Sequence, residues 1–395
     1  MVSPLMKKSS SKLSVVRLGI AGLGNMGRHH AQTVLDGKIS GCQLTAVCDV
    51  DAPRLKPYTT LQTFTDYREL IRSGAIDALL VATPHYSHTP IGIAAFKAGL
   101  HVLMEKPISV HKADAQKLIA AYTNKKLVFA AMFNQRTDPH YQKIRELVQK
   151  GELGAIQRIQ WTITDWFRSQ AYYNSGGWRA TWKGEGGGVL INQCVHNIDL
   201  YQWIFGMPQK IRAVCHIGRY HDIEVEDEVT ATWEYANGTT ASLITSTGEA
   251  PGVNRLEVAG DRGRLTLENG HLTFWRNEIP TSRYSRTTNE AYQVPATWKI
   301  EIPIRDRGEQ HTGILKNFTN AILHGEKLLA PGVEGIHSVE LINAMLLASF
   351  KDKAITLPIK AAEYERLLQQ LIRQSTFRKK VRRYRGAAGN YLLDC

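Results

Sequence analysis

Nowhere in the 395 residues does an unbroken apolar run approach the ~18 residues that a membrane-spanning helix needs, so no span is expected. The start, MVSPLMKKSSSKLS, has lysines but no apolar stretch behind them, unlike a secretory leader, and the expectation is a cytoplasmic protein. Cysteine is scarce: Cys42, Cys48, Cys194, Cys215 and Cys395 are widely spaced and form no C-x-x-C pair. Reduced, mostly buried thiols and no metal site are expected. Internal repeats and low-complexity linkers are missing too. What is there is ordinary for a folded chain, 43% hydrophobic and 22% charged, which excludes disorder, and the length suggests two cores.

Acid is in shorter supply than base, with 36 Asp and Glu against 49 Lys and Arg for a net charge of +13. The excess sits at the ends. Residues 1–14 hold three lysines and no acid, and residues 373–395 hold seven basic side chains against Asp394, which leaves four positive charges for the body. A body so nearly balanced has no field with which to track a phosphate backbone, and no nucleic-acid partner is expected. The ends read as solvated tails.

From Val15 to about Arg136, the runs VVRLGIA, QLTAVCD, DALLVAT, HVLMEKP and LVFAAM alternate with segments of three-and-four apolar spacing. Short unbroken runs of this kind read as strands buried on both faces of a parallel sheet covered by helices. Beyond Pro139 comes a helix, YQKIRELVQKGEL, then alternating strands around 156–166, 209–219 and 226–246. Asn237-Gly238 and Asn269-Gly270 lie between alternating runs and favour two-residue hairpin turns, so this half is α+β with an antiparallel sheet. Helical spacing returns over 309–325, 335–351 and 361–373.

The first strand runs into Gly22-Leu23-Gly24-Asn25-Met26-Gly27, a G-x-G-x-x-G at a strand-to-helix turn. The first glycine makes the turn, the second lets a pyrophosphate approach the backbone, and the third lets helix pack on strand. Asp49 follows the second strand, 25 residues after Gly24, where a carboxylate accepts hydrogen bonds from both ribose hydroxyls of an adenosine. It repels a 2′-phosphate, so NAD is expected over NADP, with Arg54 near enough in sequence to soften the preference.

Two further segments carry candidate chemistry. Glu105-Lys106-Pro107 ends a strand at the carboxyl edge of the sheet, where doubly wound folds bind ligands. Lys106 there can polarise a reacting hydroxyl, although from position alone a surface lysine is the better reading of a strand end. In GEGGGVLINQCVHNIDLYQWIFG, residues 184–206, three glycines open a helix on which Asn192, His196, Asp199 and Trp203 are spaced to share one face. A polar stripe centred on His196 exceeds what a core histidine requires. His29 and His30 are adjacent on the first helix and are not expected to face one metal site.

Together these residues resemble the Gfo/Idh/MocA family of NAD(P)-dependent sugar and cyclitol oxidoreductases, over nearly the whole chain. The resemblance implies an α/β protein: an N-terminal Rossmann dinucleotide-binding domain, then a C-terminal α+β domain with a large, mostly antiparallel open sheet that makes a homodimer or homotetramer interface. The expected division is a flexible tail at 1–14, the NAD-binding domain at 15–136, a substrate-binding and oligomerisation domain at 137–354, a helical region at 355–373 packing back on the first domain, and a basic tail at 374–395. The resemblance also implies that Lys106 binds and polarises the reacting hydroxyl and that His196 is the general acid/base. Many relatives carry Asp four residues before the histidine. Asn192 stands there instead and is expected to hydrogen-bond a sugar hydroxyl or orient the imidazole.

Around this pocket Trp166, Arg168, Tyr172, Tyr173, Trp178, Arg179, Trp182 and Lys183 fall within 18 residues. Aromatic faces stack on pyranose C–H faces and guanidinium groups fork onto hydroxyls; a loop packed on its own aromatics is the competing reading. Trp166, Arg168, Tyr172, Trp178 and Arg179 are taken as substrate-binding, with Lys106, Asn192 and His196. Gly22, Gly24, Asn25, Met26, Gly27, Asp49, Thr83, Pro84, His85, Glu105, Lys106 and Asn134 are taken as cofactor-binding. The expected activity is hydride transfer between NAD and a secondary alcohol carbon of a pyranose or glycoside, with C3 as the candidate carbon. The alternatives are glycoside elimination with recycled NAD, a cyclitol dehydrogenase, and a sensor without chemistry, against which the presence of both Lys106 and His196 argues.

Overall fold

A computed structural model describes residues 13–381; residues 1–12 and 382–395, with most of both expected tails and Cys395, lie outside the described residues. The first half builds a parallel sheet from β1 (Val16–Ala21), β2 (Cys42–Cys48), β3 (Gln62–Phe64), β4 (Ala78–Val81), β5 (His101–Met104) and β6 (Phe129–Ala131). Helices α1 (Asn25–Leu35), α2 (Tyr67–Arg72), α3 (His88–Lys97) and α4 (Lys112–Ala121) connect and cover it. The order β3-β2-β1-β4-β5-β6 reverses beside β1, which opens a crevice at the carboxyl ends of β1 and β4. All four residues of β4 are buried, as an unbroken apolar run requires. β3 has no counterpart in the sequence reading, because three residues, two exposed and one half-buried, are too few to show a period.

The second half begins with α5 (Pro139–Gln149) and builds one nine-stranded sheet. Its strands are β7 (Ile156–Ile163), β8 (Lys210–Ile217), β9 (Glu226–Glu234), β10 (Thr240–Ser246), β11 (Asn254–Gly260), β12 (Gly263–Glu268), β13 (His271–Asn277), β14 (Thr297–Ile302) and β15 (Ile355–Thr356). Their order is β14-β13-β12-β11-β7-β10-β9-β8-β15, antiparallel throughout except for the β10–β7 pair. Helices α6 (Gln170–Asn174), α7 (Val195–Phe205) and α8 (Thr281–Thr287) lie in its connections, and α9 (Gln310–His324), α10 (Gly335–Lys351) and α11 (Ala361–Gln374) follow. Asn269 and Gly270 both take positive φ, 51° and 75°, in the expected two-residue hairpin. Asn237-Gly238 departs from expectation. It lies in a five-residue connection from β9 to β10, where the Asn237 side chain accepts from the Thr239 amide, and a single positive φ, at Gly238, suffices.

Two buried ion pairs join the halves. Arg136, after β6, is fully buried and grips Asp199 of α7 through two bonds of 2.7 Å, with Glu334 as a further partner. Lys112 of α4 bonds Glu340 of α10 at 2.6 Å, and both also bond the backbone of Ile359. Removing one member would strand a buried charge, at a cost of about 3–5 kcal/mol. α11 packs on α4 and α10 through Tyr364 and Leu368. Cys42, Cys48, Cys194 and Cys215 are free and buried or half-buried. Among the described residues, no helix is long and apolar enough to cross a membrane.

Candidate active site

At the glycine turn, Gly22 takes φ +95°, and a Cβ there would meet the Ala82 carbonyl oxygen at 2.5 Å. A Cβ on Gly27 would lie 1.8 Å from the Gly22 oxygen, so α1 packs on the turn only because the third glycine is bare. Gly24 differs: a Cβ there would meet nothing within 4 Å. No side chain caps α1 and its first turn holds no acid, which leaves a helix start suited to an anion. Asn25 and Met26 form that first turn. Asp49 reaches back to the turn, accepting from the Leu23 amide at 2.6 Å and the Asp51 amide at 2.8 Å. Arg54 lies 3.3 Å from the same carboxylate and also pairs with Asp51, so the arginine meets the acid it was expected to temper. These residues fit a dinucleotide: an uncapped helix start, an open second glycine and an acid at the neighbouring strand end.

Beside it, at the end of β5, Glu105 is buried and accepts from His30 of α1 at 2.6 Å and from the Lys106 amide at 3.1 Å. Burial would raise this carboxyl, but the His30 contact prevails, with His311 and Lys106 nearby, and holds it at about 2. His29 and His30 both bring their rings within 5.7 Å of the His311 ring on α9. Among the described residues, no group of three or more His, Cys, Asp or Glu is placed to hold a metal ion. Thr83 and Pro84 follow β4; the Thr83 hydroxyl is buried without a partner, while its carbonyl meets His88. His85 is buried, and because a carbonyl only accepts, its Nδ1–H donates to the Glu185 oxygen at 3.1 Å. Asn134, buried after β6, donates to Gln310.

The second glycine segment departs from the one-face helix expected of it. Turns occupy 189–194 and α7 starts only at Val195, so Asn192 precedes the helix. A Cβ on Gly188 would lie 1.9 Å from the Glu226 carbonyl oxygen, and Glu226 also accepts the amides of Gly188 and Leu190; this close seat on β9 forces the turns. Asp199 and Trp203 lie on α7 with His196, but their side chains are taken up by arginines. Asp199 is spent on Arg136, and Trp203 lies under the guanidinium groups of Arg136 and Arg145.

Asn192 and His196 both lie near Lys106. The Lys106 ammonium donates to the Asn192 carbonyl at 2.8 Å. His196 is 2% exposed, and neither ring nitrogen has a partner. Burial pushes its pKa well below 6.5, and the positive field of Lys106 and the His311 ring add to this, so the imidazole is neutral with a lone pair available. Such a pair can take a proton from a hydroxyl and hold the oxygen left behind.

The sequence reading missed two carboxylates. Glu185 is 1% exposed and accepts from the Asn192 side-chain amide and the Ala180 amide, so a carboxylate stands beside Asn192 although Asn192 is not one. Burial raises its pKa. Glu226, pushed by burial up to about 7, holds the turn from β9. Glu185 lay inside the glycine segment in plain view, but only a fold shows that it turns inward.

The aromatic cluster assembles as a ladder. The Arg168 guanidinium lies over Trp166 and Tyr172 at 5.5 and 5.2 Å, and that of Arg179 over Tyr172 and Trp178 at 4.6 and 4.7 Å. Trp178 ends it with an edge contact to His85. The Tyr172 hydroxyl accepts from Arg179, Asn192 and Gln193 and so ties the ladder to the Asn192 turn. Tyr173 and Trp182 turn away: Tyr173 is buried against Thr247 and His221, and Trp182 packs on Phe350. Lys183 is exposed.

Known proteins resemble this chain in sequence and in fold. A family described as "Oxidoreductase family, NAD-binding Rossmann fold" matches residues 16–133, and the "GFO/IDH/MocA C-terminal domain" matches 141–266. An inositol 2-dehydrogenase of Rubrobacter xylanophilus is 30% identical over 272 residues, 66% of this chain and 73% of that one. A myo-inositol 2-dehydrogenase of Thermotoga maritima is 26% identical over 268 residues, 64% and 75% of the two chains. The WlbA dehydrogenase of Bordetella pertussis, solved with NADH and UDP-GlcNAcA, shares the fold at TM-score 0.72 and 23% identity, covering 88% of this chain and 100% of its own. A levoglucosan dehydrogenase solved with NADH and L-sorbose does so at TM-score 0.73 and 19% identity, with 88% and 100% covered.

Proposed function

The chain belongs to the GFO/IDH/MocA family of oxidoreductases with an NAD-binding Rossmann domain, and from that premise we propose that it oxidises a secondary alcohol carbon of a pyranose or glycoside, with C3 as the candidate carbon and NAD rather than NADP as partner. The observation that carries this reading is the pairing of the Lys106 ammonium, bonded to the Asn192 turn, with a buried, neutral His196 at the carboxyl edge of the Rossmann sheet. Bound nicotinamide supplies the hydride acceptor. Lys106 donates a hydrogen bond to the reacting hydroxyl and stabilises the negative charge that grows on its oxygen. His196 takes the hydroxyl proton on a ring nitrogen, becoming an imidazolium that must pass the proton on before the next turnover. Asn192, with both amide hydrogens directed to Glu185 and Tyr172, offers its side-chain oxygen to a sugar hydroxyl. The Trp166–Trp178 ladder supplies faces for the pyranose ring.

A cyclitol substrate is the second reading, favoured by the inositol dehydrogenases among the relatives. The test is a panel of monosaccharides, glycosides and inositols with NAD or NADP, followed at the NADH absorbance. Turnover of a pyranoside with NAD supports the first reading, turnover confined to inositols the second, and no turnover with any polyol overturns both. Assembly into a homodimer or homotetramer through the open face of the nine-stranded sheet belongs to the same proposal. Light scattering that returned a 44 kDa particle would reject it.

A further inference from the structure

The expected basic tail is not idle where the structure describes it. After α11 ends at Gln374, the segment 375–381 meets the substrate loop, 166–185, directly through Lys379 and indirectly where Ser375 and Trp182 share Glu224. The Ser375 hydroxyl donates to one oxygen of Glu224, whose other oxygen accepts the Trp182 amide at 3.1 Å. The Lys379 ammonium donates to the carbonyls of Tyr173 and Arg179. A Cβ on Gly177 would lie 3.9 Å from Val381.

The Arg179 carbonyl and the Ala180 amide belong to one peptide unit. Lys379 holds that unit by its oxygen, and Glu185 holds it by its N–H. Ala180 has φ +52°, a left-handed conformation that a residue with a Cβ adopts only when its surroundings over-determine it. The unit's orientation aims the Arg179 side chain, which bonds the Tyr172 hydroxyl at 2.6 Å and stacks on Trp178. Glu185 and Glu224 also favour the charged form of Lys379 against the burial that lowers its pKa, so the ammonium is attracted to the acids beneath the loop.

We propose that Lys379 is a positioning residue for the substrate loop: with Glu185 it clamps the Arg179–Ala180 peptide, and recognition of the sugar depends on the C-terminal segment 375–381. This rests on the sugar-dehydrogenase reading. The test is Lys379→Met in the full-length protein, which keeps the aliphatic stem and removes the donors. Two carbonyls left without a donor should raise KM for the sugar roughly 10-fold, with kcat within about two-fold of wild type. Affinity for NAD stays unchanged, and amide exchange across 172–183 becomes faster. Lys379→Arg, which keeps donors at the same place, restores KM. Unchanged exchange in the loop, or faster exchange with an unchanged KM, overturns the proposal. Should wild type oxidise no sugar, the dehydrogenase reading fails and exchange alone decides the clamp, unchanged exchange again rejecting it.

Discussion

Two glycine-rich turns belong to the candidate site, and in each a carboxylate from a neighbouring strand end accepts amides of the turn. Asp49 holds Gly22–Gly27 through the Leu23 amide, and Glu226 holds Gly186–Gly188 through the amides of Gly188 and Leu190. The glycines nevertheless serve opposite ends. Space above Gly24 is open, whereas a Cβ on Gly188 would collide with β9 at 1.9 Å. Gly24 is bare so that a ligand can approach, whereas Gly22, Gly27 and Gly188 are bare so that the protein's own backbone can. Glycine content alone therefore does not distinguish a binding loop from a packing device.

The largest expected effect breaks the comparison at that point. Gly188→Ala should destabilise the protein by about 3 kcal/mol or more, because the β9 carbonyl in its way is backbone and cannot rotate aside. Gly24→Ala should melt near wild type and lose NAD affinity. Equal melting temperatures for the two variants would erase the distinction.

Next in size, the substrate side is probed at Lys106. Lys106→Ala should lower kcat ~100-fold or more, with little change in NAD affinity, since the ammonium acts on the reacting oxygen. Near-normal turnover would return Lys106 to an ordinary strand-end lysine. On the cofactor side, Asp49→Ala should cost ~1–3 kcal/mol of NAD binding and narrow its advantage over NADP. Titrations that find both affinities unchanged would detach Asp49 from the adenosine.

The smallest effect sharpens the comparison by pH. Oxidation needs neutral His196, and burial lowers its pKa, so kcat/KM should hold down to a pH below 6.5 and fall only as the imidazole finally protonates. In His196→Ala that limb should vanish, and added imidazole should recover part of the rate. Asn192→Asp places a carboxylate on the turn that Lys106 grips, which favours the imidazolium and should move the limb upward by about one pH unit. Superimposable profiles of wild type and Asn192→Asp would separate Asn192 from the working histidine.

The cofactor side was legible because its parts are local: Gly22 to Gly27 are consecutive, and Asp49 follows the next strand of a repeating β–α unit. The strands around it could be read because burial on both faces leaves an unbroken apolar run. The substrate side was legible only in its residue types. Asn192 was placed on one helical face with His196, Asp199 and Trp203 because spacing assumes a helix, and the seat of Gly188 on β9 delays that helix until Val195, which leaves Asn192 outside it. Tyr172 and Tyr173 are neighbours in sequence, yet one joins the ladder and the other enters the core, which no composition could foretell.

By itself, then, the sequence determined the elements whose signals lie within one turn or one strand: the parallel sheet, the glycine turn with its acid, the Asn269-Gly270 hairpin, and Lys106 at a strand end. Tertiary structure alone decided which charges are spent on structure, as Arg136 is on Asp199, and which gather at the site. It set Glu185 beside Asn192, Glu226 under the second turn and Lys379 across the loop, pairs separated by 7, 38 and as many as 206 residues. The physical reason is that a hydrogen bond acts over about 3 Å in space whatever the distance along the chain.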